Sequence, residues 1–350
     1  MVQEPLVELS NLKVHFFTRE GIVRALDGVD LTIQRGRTLC LVGESGCGKS
    51  VTARALLNLV PRPGRIVDGE ILLRLQRDGQ TDLVDVTKLD PKGDAIRRIR
   101  GKEVAMIFQE PMTSFSAMYT VGNQIMEAIR LHTAASKAEA RKRAIEMLGL
   151  VGIPRPERLV DEYPFRLSGG MRQRAMIAMA LACNPSLLIA DEPTTALDVT
   201  TQAQILDLMA DLQERYDMAI LFITHDLGVV AEIADEVAVM YLGNVVEYGD
   251  ADTIFNNPRH PYTQALLRSI PKLNETRGKL EVIRGMVPSP YRRPSGCPFH
   301  PRCNQAIAGV CSTHPVTTIT LDENHRVACH LYDAQNDAAN VPMKREAIYA

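Results

Sequence analysis

The run Gly43-Glu44-Ser45-Gly46-Cys47-Gly48-Lys49-Ser50 fits the pattern G-x-x-x-x-G-K-[ST] and follows directly on the apolar stretch Thr38-Leu39-Cys40-Leu41-Val42. That junction constrains the fold more than any other feature of the chain. A short, wholly apolar run is the signature of a strand buried on both faces of a parallel sheet. The glycines let the backbone curl until its N–H groups point inward at phosphate oxygens. A helix beginning just after them adds its positive end to the same place. Lys49 can reach β- and γ-phosphates, and the Ser50 hydroxyl can ligate Mg²⁺. A glycine turn on its own occurs by chance. Here a strand precedes it and a helix is expected over Val51–Val60, stopped by Pro61, Pro63 and Gly64.

A second apolar run, Leu187-Leu188-Ile189-Ala190, ends on Asp191-Glu192. Ligands of open α/β sheets bind at the carboxyl ends of the strands. Asp191 is therefore placed to hold Mg²⁺ through its water shell, and Glu192 to orient or deprotonate an attacking water. Alone, such a run is just a strand with a solvated end; beside the glycine loop it becomes a carboxylate site. Ala219–Ile223 reads as a further strand, and Leu6–Phe17 and Val23–Ile33 alternate as half-exposed strands. Between the strands Ser186–Ala190 and Ala219–Ile223, residues Ile205, Leu208, Met209 and Leu212 form a helical stripe. About 110–165 is mainly helical, with Ser136 a plausible N-cap for the run to Leu150. Strands alternating with helices give an α/β fold with a helical insertion.

Composition narrows the partners. The chain has 350 residues, with 40 Lys+Arg against 42 Asp+Glu, a net charge of −2, and 5% aromatics without Trp. Nothing here favours nucleic acid or an anionic membrane surface. The longest apolar run, Ala175–Cys183, is nine residues, far short of the ~20 that span a bilayer. The N-terminus, with Glu4, Glu8 and Lys13, does not read as a secretory signal. A soluble, intracellular chain is expected.

Leu167-Ser168-Gly169-Gly170-Met171-Arg172-Gln173 marks a second helix N-terminus able to bind an anion, or simply an ordinary Ser-Gly-Gly helix start. With it the order of motifs becomes specific: the loop at 43–50, Gln109 after a strand, Ser168-Gly169-Gly170, Asp191-Glu192, Ala196-Leu197-Asp198 and Ile223-Thr224-His225. This order resembles the ATP-binding cassette (ABC) ATPases over about 1–260. The resemblance implies an ABC-type P-loop ATPase core with a helical subdomain at about 110–165. It implies that Gly43 to Val51, Asp191 and Asp198 serve nucleotide binding, with Mg²⁺ on Ser50, Gln109 and Asp191. Glu192, His225 and Gln109 take the catalytic positions, His225 as the switch histidine on the γ-phosphate. Asp198 resembles an aspartate that communicates across a dimer; alone it would read as a helix cap. Adenine in this family stacks on an aromatic of the early strand, which points to Phe16, with Phe17 as the fallback. Two cassettes of the family meet head to tail, so Ser168, Gly169 and Gly170 are expected to act in trans.

Phe108-Gln109-Glu110-Pro111-Met112-Thr113-Ser114 and His260-Pro261-Tyr262-Thr263-Gln264-Ala265-Leu266-Leu267 resemble the ATPase subunits of dipeptide/oligopeptide (and nickel) importers. That extends the resemblance through nearly the whole chain: a nucleotide-binding domain over 1–265 and a small, loop-rich C-terminal domain over 266–350. It implies a second, related ATPase subunit, two transmembrane permease subunits, an extracytoplasmic substrate-binding protein and a place on the cytoplasmic face of the membrane. Phe115-Ser116-Ala117 departs from the usual Leu-Asn-Pro by the docking surface. Cys47 stands where the loop more often has Ser; at a helix N-terminus its thiol is expected to lean towards a lowered pKa, or to be a passive small side chain.

Cys297, Cys303, Cys311 and Cys329 are separated by 5, 7 and 17 residues, with no tight C-x-x-C pair. In a reducing compartment such a group reads as a metal site before it reads as disulfides. The resemblance implies a [4Fe–4S] cluster; zinc or another metal and free thiols stay open, and a structural staple is the plain role. Two rival functions are a non-transport ABC ATPase in DNA repair or on ribosomes, and an importer subunit for nickel, opine or sugar cargo. Against the first, this chain has one cassette, no long heptad segment and no basic excess.

Overall fold

A computed structural model describes residues 4–77, 79–109, 115–195, 197–270 and 283–333. Two sheets carry the chain. The smaller is antiparallel, in the order β2 (Gly21–Ile33), β1 (Val7–Thr18), β4 (Gly64–Arg77), β5 (Gln80–Asp85). The larger runs β11 (Ile319–Asp322), β12 (His325–Val327), β10 (Asn244–Asp250), β9 (Glu236–Tyr241), β3 (Thr38–Val42), β8 (Ala219–Ile223), β7 (Leu187–Asp191), β6 (Val104–Ile107). From β9 to β6 every pairing is parallel, so five strands end on one edge of the sheet.

The apolar runs fold as strands because both of their faces are covered. Every residue of β3, β7 and β8 is buried. Side chains alternate between two cores, as the period of two requires. Leu39, Leu41, Leu187, Ile189, Leu221 and Ile223 face the small sheet, and Cys40, Val42, Leu188, Ala190, Ile220 and Phe222 face the helical layer. Full burial of Leu or Ile contributes roughly 1.5–3 kcal/mol each, enough to fix the register.

The helix of the glycine loop, α1 (Lys49–Leu56), starts two residues earlier than the sequence pattern indicates and stops sooner. Gly48 is its N-cap, and Asn58 turns the chain out at φ 49°. Next come the short α2 (Asp94–Ile99), then α3 (Val121–His132) and α4 (Lys137–Leu150) of the helical insertion. Ser136 does cap α4, in a reciprocal box with Glu139. In Val199–Tyr216, Ile205, Met209 and Leu212 are buried as the stripe indicates, but Leu206 rather than Leu208 is the fourth fully buried residue. Leu208 packs on the rim of the core.

The C-terminal segment is stitched to the large sheet. β12 pairs with β10 at Glu247–Val327 and Tyr248–Arg326, and β11 pairs with β12. Beneath this edge the Glu247 carboxylate is fully buried and accepts from Arg259 N (2.6 Å), His260 N (2.9 Å) and His325 Nε2 (2.8 Å). Cys297, Phe299 and Cys311 join the same apolar core as the helical layer.

Candidate active site

The loop of residues 43–50 has the curl its glycines permit. Gly43 sits at φ 143°, where a Cβ would lie 2.2 Å from the Met240 carbonyl oxygen. Gly48 sits at φ 112°, where a Cβ would lie 2.7 Å from the Ala25 carbonyl oxygen. No other residue fits either position. The turn between β9 and β10 props the loop from below: Gly243 N donates to Cys47 O at 2.8 Å, and Asp27 N to Gly243 O at 2.9 Å. Lys49 is buried, and its Nζ donates to Gly43 O (2.7 Å) and Glu44 O (3.2 Å). Ser45 and Gly46 are exposed at the lip, and Val51 packs half-buried against the core.

Cys47 corrects an expectation. Its thiol is buried, and burial pushes it up, outweighing the pull of the Lys49 ammonium. It is a small apolar filler under the loop, the passive alternative.

The remaining polar groups come from the neighbouring strand ends. Register places Ile107 beside Ala190 and Asp191 beside Ile223. Gln109, Asp191-Glu192 and His225 therefore leave three adjacent strands at one level. Asp191 is buried and bonded to Ser50 Oγ at 3.1 Å. Burial pulls its carboxyl up, with the Ser50 hydrogen bond opposing. Glu192 has left-handed backbone (φ 49°), pinned by its N–H on Ile223 O at 2.9 Å. Its carboxylate is a hub. Gln109 Nε2 donates to Oε2 at 2.9 Å, Thr195 Oγ1 donates to Oε2 at 3.0 Å, and His225 Nδ1 lies 3.2 Å from Oε1. Burial pulls this carboxyl up, but the bonds from His225, Thr195 and Gln109 win and hold it below its ordinary value. A group that stays ionised and is aimed by three partners can order a water and draw its proton.

Ser168, Gly169 and Gly170 stand elsewhere, at the start of the helix Gly169–Leu181, where Ser168 accepts from Met171 N at 3.3 Å and is exposed. Gln173, one turn on, is buried and donates to the Pro193 carbonyl, tying this helix to the carboxylate loop. Asp198 caps Val199–Tyr216, accepting from Thr201 N (2.9 Å) and Thr201 Oγ1 (2.8 Å). Phe16 is half-buried against the second core; Phe17 is more exposed, with the Arg65 guanidinium 4.3 Å from its ring centre. Residues 110–114 and Ala196, parts of two of the motifs, lie outside the described residues.

The four C-terminal cysteines converge without forming a ligand set. Burial pushes the Cys303 thiol up to about 11 and the Cys329 thiol up to about 12, and each also feels the other sulfurs of the group. All are free, and Cys311 Sγ accepts from Ile307 N at 3.3 Å. Among the described residues no group of three or more His, Cys, Asp or Glu is arranged to hold a metal ion. The expected [4Fe–4S] cluster therefore finds no support among the described residues.

Three further contacts reach the site from residues to which the motifs assign no role in it. Thr195 lies between two motifs and bonds to Glu192. Tyr262 lies 218 residues beyond the glycine loop, yet its hydroxyl accepts from Glu44 N at 2.9 Å. Arg302, 258 residues beyond, grips the Glu44 carboxylate. No spacing rule reaches that far.

Fold and site together define a P-loop nucleotide hydrolase with its glycine loop and carboxylates on one edge of a parallel sheet. Comparison makes the class specific. Residues 26–195 match the family described as "ABC transporter", and residues 246–311 match "Oligopeptide/dipeptide transporter, C-terminal region". The chain is 50% identical to the oligopeptide transport ATP-binding protein AppD of Bacillus subtilis over 331 residues, 94% of this chain and 98% of that protein. It is 47% identical to the dipeptide transport ATP-binding protein DppD of Escherichia coli over 325 residues, 93% and 96% of the two chains. Among solved structures, the dimeric bacterial ABC transporter cassette MJ0796 aligns with a TM-score of 0.60 and 29% identity, over 70% of this chain and 98% of that one. The chain belongs to the ATP-binding subunits of the dipeptide/oligopeptide ABC transporter family and is an ABC-type ATPase. Among the described residues no helix is long and apolar enough to cross a membrane.

Proposed function

We propose that this chain hydrolyses ATP to drive a peptide importer, with Glu192 as the base. The carrying observation is the Glu192 carboxylate, kept ionised and aimed by Gln109, Thr195 and His225. Lys49 and the loop 43–51 hold the triphosphate, and Phe16 carries the adenine. Ser168, Gly169 and Gly170 bind the γ-phosphate of an ATP seated on a second cassette, and Asp198 faces that partner.

The donor set suits Mg²⁺. Ser50 Oγ and Asp191 Oδ1 are hard oxygens 3.1 Å apart, and burial opposes the charge of Asp191 until a cation compensates it. Ser50, Asp191 and Gln109 would hold the ion. When bound it neutralises charge on the phosphates. Glu192 takes the proton of the attacking water, and His225, on the same carboxylate, aligns with the γ-phosphate. Losing that phosphate removes contacts that closed the two cassettes, so they part.

The second cassette is a related, different chain. The two cassettes sit on permease subunits at the cytoplasmic face, and an external binding protein delivers di- or oligopeptides. The names of AppD and DppD support peptide cargo over nickel, opine or sugar, and transport over DNA repair or ribosome work. The nucleotide-binding domain over 1–265 and the C-terminal domain over 266–350 are proposed as units of function, the second bearing on the first as described below. No step is assigned to an iron–sulfur cluster. Glu192→Gln in the assembled transporter should slow ATP turnover about 10²–10⁴-fold while ATP binding persists. Turnover within threefold of the parent chain would remove Glu192 from this role.

A further inference from the structure

The contact between the C-terminal segment and the glycine loop has no part in the mechanism above. Glu44 is the first variable residue of the loop. Two groups from outside the loop hold it. Its backbone N–H donates to the Tyr262 hydroxyl at 2.9 Å. Its carboxylate takes a two-pronged bond from Arg302, Nη1 to Oε2 at 2.6 Å and Nη2 to Oε1 at 3.0 Å. The fork geometry matches guanidinium to carboxylate and fixes direction as well as distance.

The guanidinium is itself firmly seated. Its side chain is 3% exposed, Nε donates to Arg284 O at 3.0 Å, and Nη1 lies 3.4 Å from the Tyr241 hydroxyl. Arg302 ends a short turn, His300–Arg302, that begins beside Phe299. The Phe299 ring packs on Tyr241 (5.2 Å), Tyr262 (5.3 Å) and His260 (5.8 Å). His260 in turn caps the helix Pro261–Arg268 by accepting from Tyr262 N at 3.0 Å. Tyr241 precedes the turn whose Gly243 holds Cys47 O. One aromatic cluster thus anchors both holds on Glu44 and the prop under the loop.

A phosphate loop is a set of backbone N–H groups whose aim depends on the loop staying curled. Glu44, next to Gly43 at the start of that curl, is clamped before any nucleotide arrives. Ordering a loop beforehand lowers the cost of binding. We propose that Arg302 is a positioning residue for nucleotide capture: through Glu44 it holds the glycine loop in its binding shape, making the C-terminal segment a working part of the ATP site. This rests on the reading of residues 43–51 as the triphosphate site.

The test uses the full-length chain and a fluorescent ATP analogue to measure Kd, the assembled transporter to separate KM from kcat, and thermal unfolding in parallel. Arg302→Ala and, as the milder cut, Glu44→Gln should each raise Kd and KM for ATP about 5–20-fold, the effect expected for losing a charged, forked bond that preorganises a loop. kcat at saturating ATP should fall less than KM rises. The double variant should bind no more weakly than the worse single one, because one interaction is lost once. Arg302→Lys should recover only part of the affinity, since a point charge cannot make the fork. An unchanged Kd in Glu44→Gln, or full additivity in the double variant, overturns the proposal. So does a fall in melting temperature with affinity intact. A parent chain that fails to bind ATP would instead sink the reading of the loop itself, which keeps the two failures apart.

Discussion

Replacing Glu247 by Gln tests how the C-terminal segment is fastened. The carboxylate is 1% exposed and accepts three N–H groups, at 2.6, 2.9 and 2.8 Å. A carboxylate can only accept, so His325 Nε2 carries the proton in that bond. The amide of Gln keeps one oxygen and turns the other into a donor. Whichever way it is turned, an NH₂ then meets an N–H. One charge-assisted bond, worth about 1.5–3 kcal/mol, is lost, and a buried N–H is stranded at about 1–3 kcal/mol. The sum, about 2.5–6 kcal/mol, brackets the roughly 3–5 kcal/mol cost of breaking a buried pair by removing one partner. Urea unfolding of the full-length chain should show a loss of about 3 kcal/mol or more, while the exposed control Glu127→Gln stays within about 0.5 kcal/mol. Hydrogen exchange should locate the loosening at residues 319–327 and 258–268. A loss below about 1 kcal/mol, or loosening spread evenly through the chain, would show that Glu247 does not fasten this segment.

Other outcomes follow from the same geometry. Glu192 has its folded-state pKa held below the ordinary 4.5, so its charge persists above that value and is lost only as the pH falls through the lower, folded-state one. Acid inactivation of the ATPase should therefore not come from Glu192 above pH 4.5. His225→Ala removes the strongest of the opposing bonds and should move that acid limb upward; an unmoved limb in the variant would disprove the coupling. Cys47, buried and with its thiol raised, should resist alkylation at pH 7.5 in the native chain and react only on unfolding; rapid native labelling, read by mass spectrometry, would contradict its placement.

The strands that bear the site were legible because burial on both faces wrote them as apolar runs: Leu39–Val42, Leu187–Ala190 and Ala219–Ile223 were visible without structure. Gln109, Asp191, Glu192 and His225 at their ends are legible as neighbours too, since each follows directly on its strand. What stayed hidden has a common cause. β5 lies with Gln80, Thr81, Asp82 and Leu83 all exposed, and so shows no alternation. β11 and β12 are four and three residues long and exist by pairing onto β10 rather than by pattern. The prolines after 258 indicate loops, and most of the described residues 283–333 are irregular; the two short strands paired beside β10 are the part that pattern does not show. For Cys47, helix position alone points to a lowered thiol, and burial, which the sequence does not show, raises it and leaves the passive side chain. Arg302 and Tyr262 reach Glu44 only through tertiary packing, and the stretch that holds Tyr262 marks the family without pointing to that contact.

On the proposed function, one chain presents half of a shared ATP site: Lys49 and Glu192 on one side, and Ser168-Gly169-Gly170 for a partner's nucleotide. The direct measurement is ATP turnover per cassette as total concentration is lowered, with and without the second ATPase subunit. Specific activity should collapse on dilution to a sedimentation-verified monomer and return when the partner is added. Undiminished specific activity in that monomer would contradict the account.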